Sequence, residues 1–384
     1  MLENYRPAWM NEEHDMLADT ARRFATDELI PNDARWREQR CVDKAAWLKA
    51  GAIGLLLSDI PDSYGGMGGD FGHQAVIARE LSLATEFGFT GGTAVHAIVS
   101  HYLLECGTEA QKQKWLPRMA TGEAIGAIAM TEPGAGSDLK GVRTRAVRRG
   151  DMYVINGSKT YISNALNMGL LILVAKTDPE AGSKGMSLIL MEPHGTPGFT
   201  VGRVLDKMGA HSQDTCEIFF QDCEVPVENV LGGVEGQGMY QLMAQLPYER
   251  AFLGVMAGAF TERAVELTLA YTKDRKAFGQ SVFDFQNSRF TLADLATKAA
   301  VARVFNDFIV SQRIAGKLDS TTASMTKLWS TETLGDVVDK GLQLFGGAGY
   351  MNEYPITRMY ADARVMRIFA GSNEIMKELI SRSL

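Results

Sequence analysis

The sequence has no basic excess. Thirty-nine lysines and arginines face 46 aspartates and glutamates, for a net charge of -7. A chain without a basic footprint is not built around a polyanion, so nucleic acid is excluded as the main partner. Cysteine is scarce as well. Cys41, Cys106, Cys216 and Cys223 are scattered, with no Cys-x-x-Cys and no Cys/His ligand spacing, which points to a reducing compartment and no metal. His96 and His101 lack a carboxylate or cysteine at ligand spacing and read as packing or polar-edge residues. No apolar run approaches the length needed to cross a bilayer. The early acidic residues Glu12, Glu13 and Asp15 interrupt any signal-peptide core, so a soluble, cytoplasmic (bacterial) protein with no membrane association is expected. Strand–helix alternation is also missing, and Gly134-Ala-Gly136 does not open a helix after a strand. A dinucleotide-binding Rossmann unit is therefore not expected.

What is present is a helix–strand–helix chain. At 384 residues, 46% of them hydrophobic and 22% charged, it is long enough for two or three domains and too apolar for extensive disorder. Up to about residue 125 apolar residues recur at helical spacing. Met16, Leu17, Phe24, Leu29 and Ile30 fit one amphipathic helix ended by Pro31. A second run covers Ala45 to Leu57, and others cover His73–Leu83, His96–Cys106 and Glu109–Ala120. The Gly/Pro-rich stretch 58–70 reads as a surface loop or as one wall of a substrate channel.

Between about 126 and 232 the period shortens. The runs 153–155, 170–175, 186–191, 199–201 and 216–220 are β-prone and divided by turn residues, as in a small all-β sandwich or barrel. Asn156-Gly157 has the composition of a hairpin turn. After Gly238 four helical runs, 239–273, 284–314, 322–345 and 372–383, are enough for a bundle. Gly346-Gly-Ala-Gly349 and Tyr354-Pro355 interrupt the end of the third. The reading is an α+β chain with an N-terminal all-α domain (1–125), a middle β domain (126–233) and a C-terminal four-helix bundle (234–384). The nineteen methionines are mostly core filler.

The change of pattern falls at residues 129–141, Ala-Met-Thr-Glu-Pro-Gly-Ala-Gly-Ser-Asp-Leu-Lys-Gly. This stretch combines hydroxyls (Thr131, Ser137), carboxylates (Glu132, Asp138) and glycines that let a backbone approach a flat or anionic ligand. It is read either as part of a ligand cleft or as an ordinary turn into a strand.

Together these motifs resemble the acyl-CoA dehydrogenase family, over essentially the whole chain. Ala129 through Gly141 meets a first family signature. Gln343-Leu-Phe-Gly-Gly-Ala-Gly-Tyr350 through Asp362, with Glu353 and Arg358, meets a second. Arg275-Lys-Ala-Phe-Gly-Gln280 and Phe285-Gln286 also match. Gly126–Leu139, Leu246-Pro-Tyr-Glu-Arg250, Ala361–Val365 and Asn373–Ile380 are most similar to the long-chain members.

The resemblance implies FAD, an acyl-CoA thioester, electron-transfer flavoprotein and a homotetramer arranged as a dimer of dimers. It places Ile128, Met130, Thr131, Gly136 and Ser137 along the flavin ring, with Tyr161, Ile162 and Ser163 beside it. It assigns Arg275, Phe278, Phe285, Gln286, Gln343, Leu344, Gly346 and Gly347 to the adenine–pyrophosphate half, held from a neighbouring subunit. Ser372, Asn373 and Glu374 lie close to the cofactor, and Ser137, Tyr248, Arg250 and Gly371 towards the substrate.

The family's chemistry removes an α proton from a thioester while hydride leaves the β carbon, so it requires a carboxylate base. Most members carry Glu directly before the Gly-Ser/Thr of the C-terminal motif. Here that position is Ala370, which cannot take a proton, and Glu249 stands on the helix that opens the last domain. The long-chain and isovaleryl members share both features, so the resemblance assigns the base to Glu249. The rival readings for Glu249 are an ion pair with Arg250 or Lys273, or a solvent-facing residue. Neighbours at i+1 diverge on a helix, which argues against Arg250. Pro247 is expected to kink or open the helix one turn before the site. Isovaleryl-type substrates, carrier-protein thioesters and an inactive flavin-binding homologue are the alternatives.

Overall fold

Six helices form the first part of the computed structural model, which describes residues 5–84 and 87–384. They are α1 (Glu12–Phe24), α2 (Ile30–Gln39), α3 (Lys44–Ala52), α4 (Phe71–Ala84), α5 (Phe87–Cys106) and α6 (Glu109–Ala120). Asn11 caps α1 by accepting a hydrogen bond from the His14 amide, and acidic residues fill the first turn, as the helix dipole favours. Pro31 does not end this helix. A π-turn over Ala25–Leu29 re-aims the chain, and Pro31 falls in the first turn of α2, where its missing N–H leaves no bond unmade. The second run stops at Ala52 instead of Leu57, because the chain turns back on itself there. From Pro61 on, the 58–70 stretch is a largely exposed loop, whereas Ser58, Asp59 and Ile60 are buried. The helix α5 is buried along most of its length and is the central element of this part.

The middle region is one curled seven-stranded sheet: β1 (Ile125–Ala129), β2 (Arg145–Arg149), β3 (Met152–Ser163), β4 (Met168–Lys176), β5 (Met186–Met191), β6 (Phe199–Val204) and β7 (Thr215–Pro226), in the order β1-β4-β2-β3-β7-β6 with β5 also on β4. Two of these strands, β1 and β2, go beyond the sequence reading. The first has a glycine and two alanines among its five residues, and the second carries three arginines. Asn156-Gly157 is not a hairpin turn. It lies inside β3, where the register with β7 shifts between Ile155 and Gly157. The backbone there presses on Thr144, so that a Cβ on Gly157 would stand 2.5 Å from the Thr144 hydroxyl. The glycine serves a bulge.

Alternate residues of β4 and β5 go to two cores. Leu170, Ile172, Val174, Leu188 and Leu190 join the helical core, while Leu171, Leu173, Ile189 and Met191 fill the concave side of the sheet. A strand covered on both faces reads as an unbroken apolar run. At the seam between the helices and the sheet, fully buried His96 on α5 accepts from the Gly126 amide (3.0 Å) and bonds the Met119 carbonyl (3.1 Å).

The last part holds α7 (Gly238–Asp274), a two-stranded ribbon of β8 (Lys276–Ala277) and β9 (Gln280–Ser281), α8 (Gln286–Ile314), α9 (Ser320–Leu344), α10 (Pro355–Ala363) and α11 (Asn373–Ser381). The three long helices pack on one another, and the nine-residue α10 and α11 both pack on α9. The helix α7 continues through Pro247 and also carries α4 and α5 against it. Among the described residues no helix is long and apolar enough to cross a membrane.

Candidate active site

Glu249 lies in α7, 4% exposed. Its hydrogen-bond partner is the Tyr102 hydroxyl, which donates to Oε1 at 2.8 Å from α5. Burial pushes the Glu249 carboxyl above the ordinary carboxylate range, opposed by the Tyr102 bond and by the nearby Arg250 charge. Neither Arg250 nor Lys273 forms an ion pair with it among the described residues, so the rival pairings fall away, and its burial removes the solvent-facing reading. The Tyr102 hydroxyl is itself held protonated by burial and by the adjacent carboxylate.

Of the other expected substrate-side residues, Tyr248 and Arg250 flank Glu249 on α7, and Gly371 lies in the turn before α11. Tyr248 is fully buried, donates to Asp59 Oδ2 at 3.1 Å and stacks on His101 with centroids 3.7 Å apart. His101 in turn bonds Asp59 at 2.9 Å, so it is a paired residue of the interior. Arg250 points away from Glu249 to α9, donating to Ser320 Oγ (3.1 Å) and Ser324 Oγ (3.0 Å). Burial lowers its guanidinium from the usual value. Ala370 and Gly371 form the turn before α11 with φ of 50° and 88°. The buried Lys327 of α9 fastens this turn through the Gly371 carbonyl (2.7 Å) and Asn373 Oδ1 (2.8 Å). Desolvation first, then Arg250, lowers the Lys327 ammonium to about 8. Asn373 is buried between Thr331 and Glu332, Ser372 caps α11, and Glu374 is exposed in its first turn.

The 129–141 stretch continues from β1. Ile128 and Met130 are half-buried against the helical core. The buried Glu132 closes the loop: it accepts from the Arg143 and Thr144 amides and from Lys159 Nζ at 2.9 Å. Burial alone would raise this carboxyl, but those donors hold it below the usual range. Thr131 is half-buried and Ser137 exposed. A Cβ on Gly134 or Gly136 would meet nothing within 4 Å, so this backbone presents an open face. At the C-terminal end of β3 a second bulge, between Lys159 and Ile162, turns Tyr161 outward in the left-handed region (φ 62°), 68% exposed. Ser163 beside it is half-buried, and Ile162 points into the sheet core.

The remaining expected residues form a separate group where α7 and α9 end. Arg275 closes α7, Phe278 sits at the tip of the β8–β9 ribbon, and Phe285 and Gln286 open α8. Gln343 and Leu344 finish α9, with Gly346 and Gly347 in the turn beyond. Tyr271 stacked on Phe345 at 4.0 Å holds the two ends together. Arg275 lies about 26 residues beyond Glu249, roughly 39 Å along a helix rising 1.5 Å per residue.

Sequence reasoning missed Tyr102, Lys327, Ser320 and Ser324. Each reaches the site from a helix distant in sequence, and helical spacing alone marks none of them.

Three family models match the chain in order: acyl-CoA dehydrogenase, N-terminal domain, over residues 11–123; the middle domain over 127–223; and the C-terminal domain over 236–384. The long-chain specific acyl-CoA dehydrogenase of mitochondria from Mus musculus is 44% identical over 377 residues, which is 97% of this chain and 87% of that protein. The crystal structure of an acyl-CoA dehydrogenase from Geobacillus kaustophilus superposes with a TM-score of 0.95 at 43% identity, covering 98% of this chain and 99% of that one. An acyl-CoA dehydrogenase from Bacillus anthracis, solved in complex with FAD, gives 0.91 at 32% identity and covers 99% of this chain and 68% of that one.

Proposed function

The chain belongs to the acyl-CoA dehydrogenase family, and from that premise we propose that it oxidises medium-to-long straight-chain acyl-CoA thioesters to trans-2-enoyl-CoA, with Glu249 as the α-proton base and electron-transfer flavoprotein as electron acceptor. It is an oxidoreductase acting on CH–CH groups, and FAD is its cofactor.

One observation carries the assignment of the base. Glu249 is a buried carboxylate whose only hydrogen-bond partner among the described residues is a phenol. Desolvation makes such a group a stronger base than an exposed glutamate, while the Tyr102 bond keeps it oriented. Ala370 offers no competing carboxylate, and Glu374 faces solvent.

The residues present fit the cofactor. The backbone at Gly134, Gly136, Gly346 and Gly347 is open on the side where a Cβ would point. Such surfaces admit a flat ring or a pyrophosphate closely. Thr131, Ser137 and Ser163 would supply hydroxyl donors, Tyr161 an aromatic face, and Ile128 and Met130 an apolar wall. When bound, the flavin supplies the hydride acceptor that no side chain offers.

The separation between Glu249 and the Arg275–Gln286 and Gln343–Gly347 group supports completion of the cofactor site by a second copy, and the family resemblance extends that to a homotetramer built as a dimer of dimers. The 44% identity to a long-chain enzyme supports the chain-length preference.

Anaerobic bleaching of the oxidised-flavin band by palmitoyl-CoA tests the reading, comparing wild type with Glu249→Gln. Wild type should bleach, and the variant should keep its flavin and fail to. Equal bleaching in both moves the base elsewhere. No bleaching in either removes the long-chain CoA ester and brings branched or carrier-bound thioesters forward.

A further inference from the structure

Four side chains that the sequence distributes between residues 13 and 73 meet where α1 crosses α4. His14 is 2% exposed and His73 7%, and their ring centroids lie 4.3 Å apart. Asp70 Oδ1 stands 4.0 Å from His14 Nε2 and 3.1 Å from His73 Nδ1. One ligand atom from each of His14, Asp70 and His73 falls within 4.8 Å of the others. Glu13 Oε1 lies 3.5 Å from His73 Nε2.

The two buried Nε2 atoms have no hydrogen-bond partner among the described residues, a state that burial penalises. His14 Nδ1 is 2.7 Å from the Asn11 side-chain oxygen, and His73 Nδ1 is 3.1 Å from Asp70 Oδ1. Each Nδ1 also accepts from a backbone amide, that of Asn11 (3.3 Å) and that of Asp70 (3.1 Å); a cation on Nε2 would move the ring proton to Nδ1, where the Asn11 and Asp70 oxygens take it up, and leave the Nε2 lone pair of each ring free. An Nδ1–H held by an oxygen is the outer bond that orients a metal-ligating imidazole and fixes its tautomer. Gly72 keeps the gap open, since a Cβ there would stand 2.9 Å from both Asp70 Oδ1 and His14 Nε2.

We infer that His14 Nε2, His73 Nε2 and Glu13, with Asp70 at the rim, form a site for a divalent cation of the zinc type that fastens α1 to α4. Two imidazoles and carboxylates select a borderline ion over calcium or magnesium, which take oxygen ligands. Tetrahedral zinc with bonds of about 2.0 Å sets neighbouring ligand atoms roughly 3.3 Å apart. Glu13 Oε1 and His73 Nε2, 3.5 Å apart, already stand near that separation, and Asp70 Oδ1, 4.0 Å from His14 Nε2, lies at the rim. Glu13 and Asp70 are exposed, so the ion has a path from solvent. Its role is structural: α4 packs on α7, the helix that carries Glu249, and the ion would hold the first helix of the chain to that stack.

The test is zinc titration of untagged, flavin-loaded, chelator-treated protein, followed by calorimetry and by thermal unfolding. Expected are one zinc per chain and a saturable rise in Tm. The visible spectrum with Co2+ should be that of a low-symmetry four-coordinate site. His73→Gln should weaken zinc binding about tenfold or more and abolish the Tm rise, with flavin content and palmitoyl-CoA bleaching unchanged. Gly72→Ala, which crowds the gap without removing a ligand, should weaken binding in the same direction. Absence of a zinc-dependent Tm rise in wild type overturns the proposal. So does a wild-type affinity retained by both variants, which would mark adventitious surface binding only.

Discussion

The Tyr102 hydroxyl donates to Glu249 Oε1 at 2.8 Å, and both side chains are buried. The bond joins α5 of the N-terminal helices to α7 of the C-terminal ones, so the orientation of the carboxylate depends on the packing of the two regions. It is also the strongest force acting against the desolvation that raises the Glu249 carboxyl.

Tyr102→Phe removes that donor and leaves the carboxylate less stabilised, so the Glu249 carboxyl rises further. The base works only when deprotonated, and the acid limb of the kcat/KM–pH profile should move to higher pH. A hydrogen bond to a charged group is worth about 1.5–3 kcal/mol, so the rate on the acid side should fall about tenfold or more, with a smaller change on the alkaline plateau. A profile with an unmoved acid limb would remove Glu249 as the titrating base.

Glu249→Gln keeps the shape of the side chain and the Tyr102 contact but takes away the proton acceptor. Loss of a positioned general base costs about 10²- to 10⁴-fold, and that loss should appear in the single-turnover rate of flavin reduction, with substrate binding little changed. A variant that binds substrate tenfold more weakly yet reduces its flavin at the wild-type rate would reassign the residue to binding.

His96 gives the fold a pH sensitivity of its own. Complete burial depresses its imidazole to about 4, against about 6.5 in the unfolded chain. Below pH 6.5 the unfolded state takes up a proton that the folded state refuses. The stabilisation is therefore intact above pH 6.5 and is lost as the pH falls towards 4, at about 1.4 kcal/mol per pH unit and roughly 3 kcal/mol in all. His96→Asn should lose stability at pH 7 but show a shallower decline between pH 6.5 and 4 in denaturant unfolding. An identical slope in the two proteins would mean that His96 does not carry this dependence.

The sequence made the order of helices, strands and helices legible because each period is set by one buried face. It also singled out Glu249 as the candidate base, through the paired change at positions 249 and 370. It hid what depends on chain crossing. Tyr102 looks like any apolar-face residue until α5 lies on α7, and His14 and His73 lie far apart until α1 meets α4. The errors have a similar source. Pro31 reads as a terminator and Asn156-Gly157 as a hairpin turn. Both residue types also fit a first helical turn and a strand bulge, and tertiary packing decided between the alternatives.

The Glu132–Lys159 pair pins the 129–141 loop to β3. Lys159 is fully buried and, among the described residues, its ammonium bonds only Glu132 and the Met130 carbonyl. Burial brings its ammonium down to about 8 even with Glu132 beside it. Glu132→Gln leaves that charge without its counter-ion, and breaking a buried pair from one side costs about 3–5 kcal/mol. The variant should unfold at lower denaturant and lose flavin first, because the loop it releases carries Thr131 and Ser137. Adding Lys159→Met should recover a large part of the stability. If the double variant is no better than the single one, the loop is held by something other than this pair.

Phe278 is 96% exposed in this chain, in the left-handed region (φ 52°), edge-on to Phe285 with centroids 6.1 Å apart. A phenyl left in water forgoes about 1.5–3 kcal/mol of burial, and among the described residues the edge of Phe285 leaves this one almost wholly uncovered. A second copy would cover it, and Arg275 beside it is exposed as well. Phe278→Ala should therefore loosen the assembly, seen by light scattering as smaller species at low protein concentration. It should also lower the flavin-to-protein ratio, with FAD affinity reduced about tenfold, the equivalent of 1.4 kcal/mol. Because Glu249 lies roughly 39 Å back along α7, the reduction rate per bound flavin should change little. If assembly and flavin content both match wild type, this end of the molecule faces solvent and the second half of the cofactor site must be sought elsewhere. If the rate per bound flavin falls with them, the two ends communicate through α7, and the cofactor site cannot be treated as two independent halves.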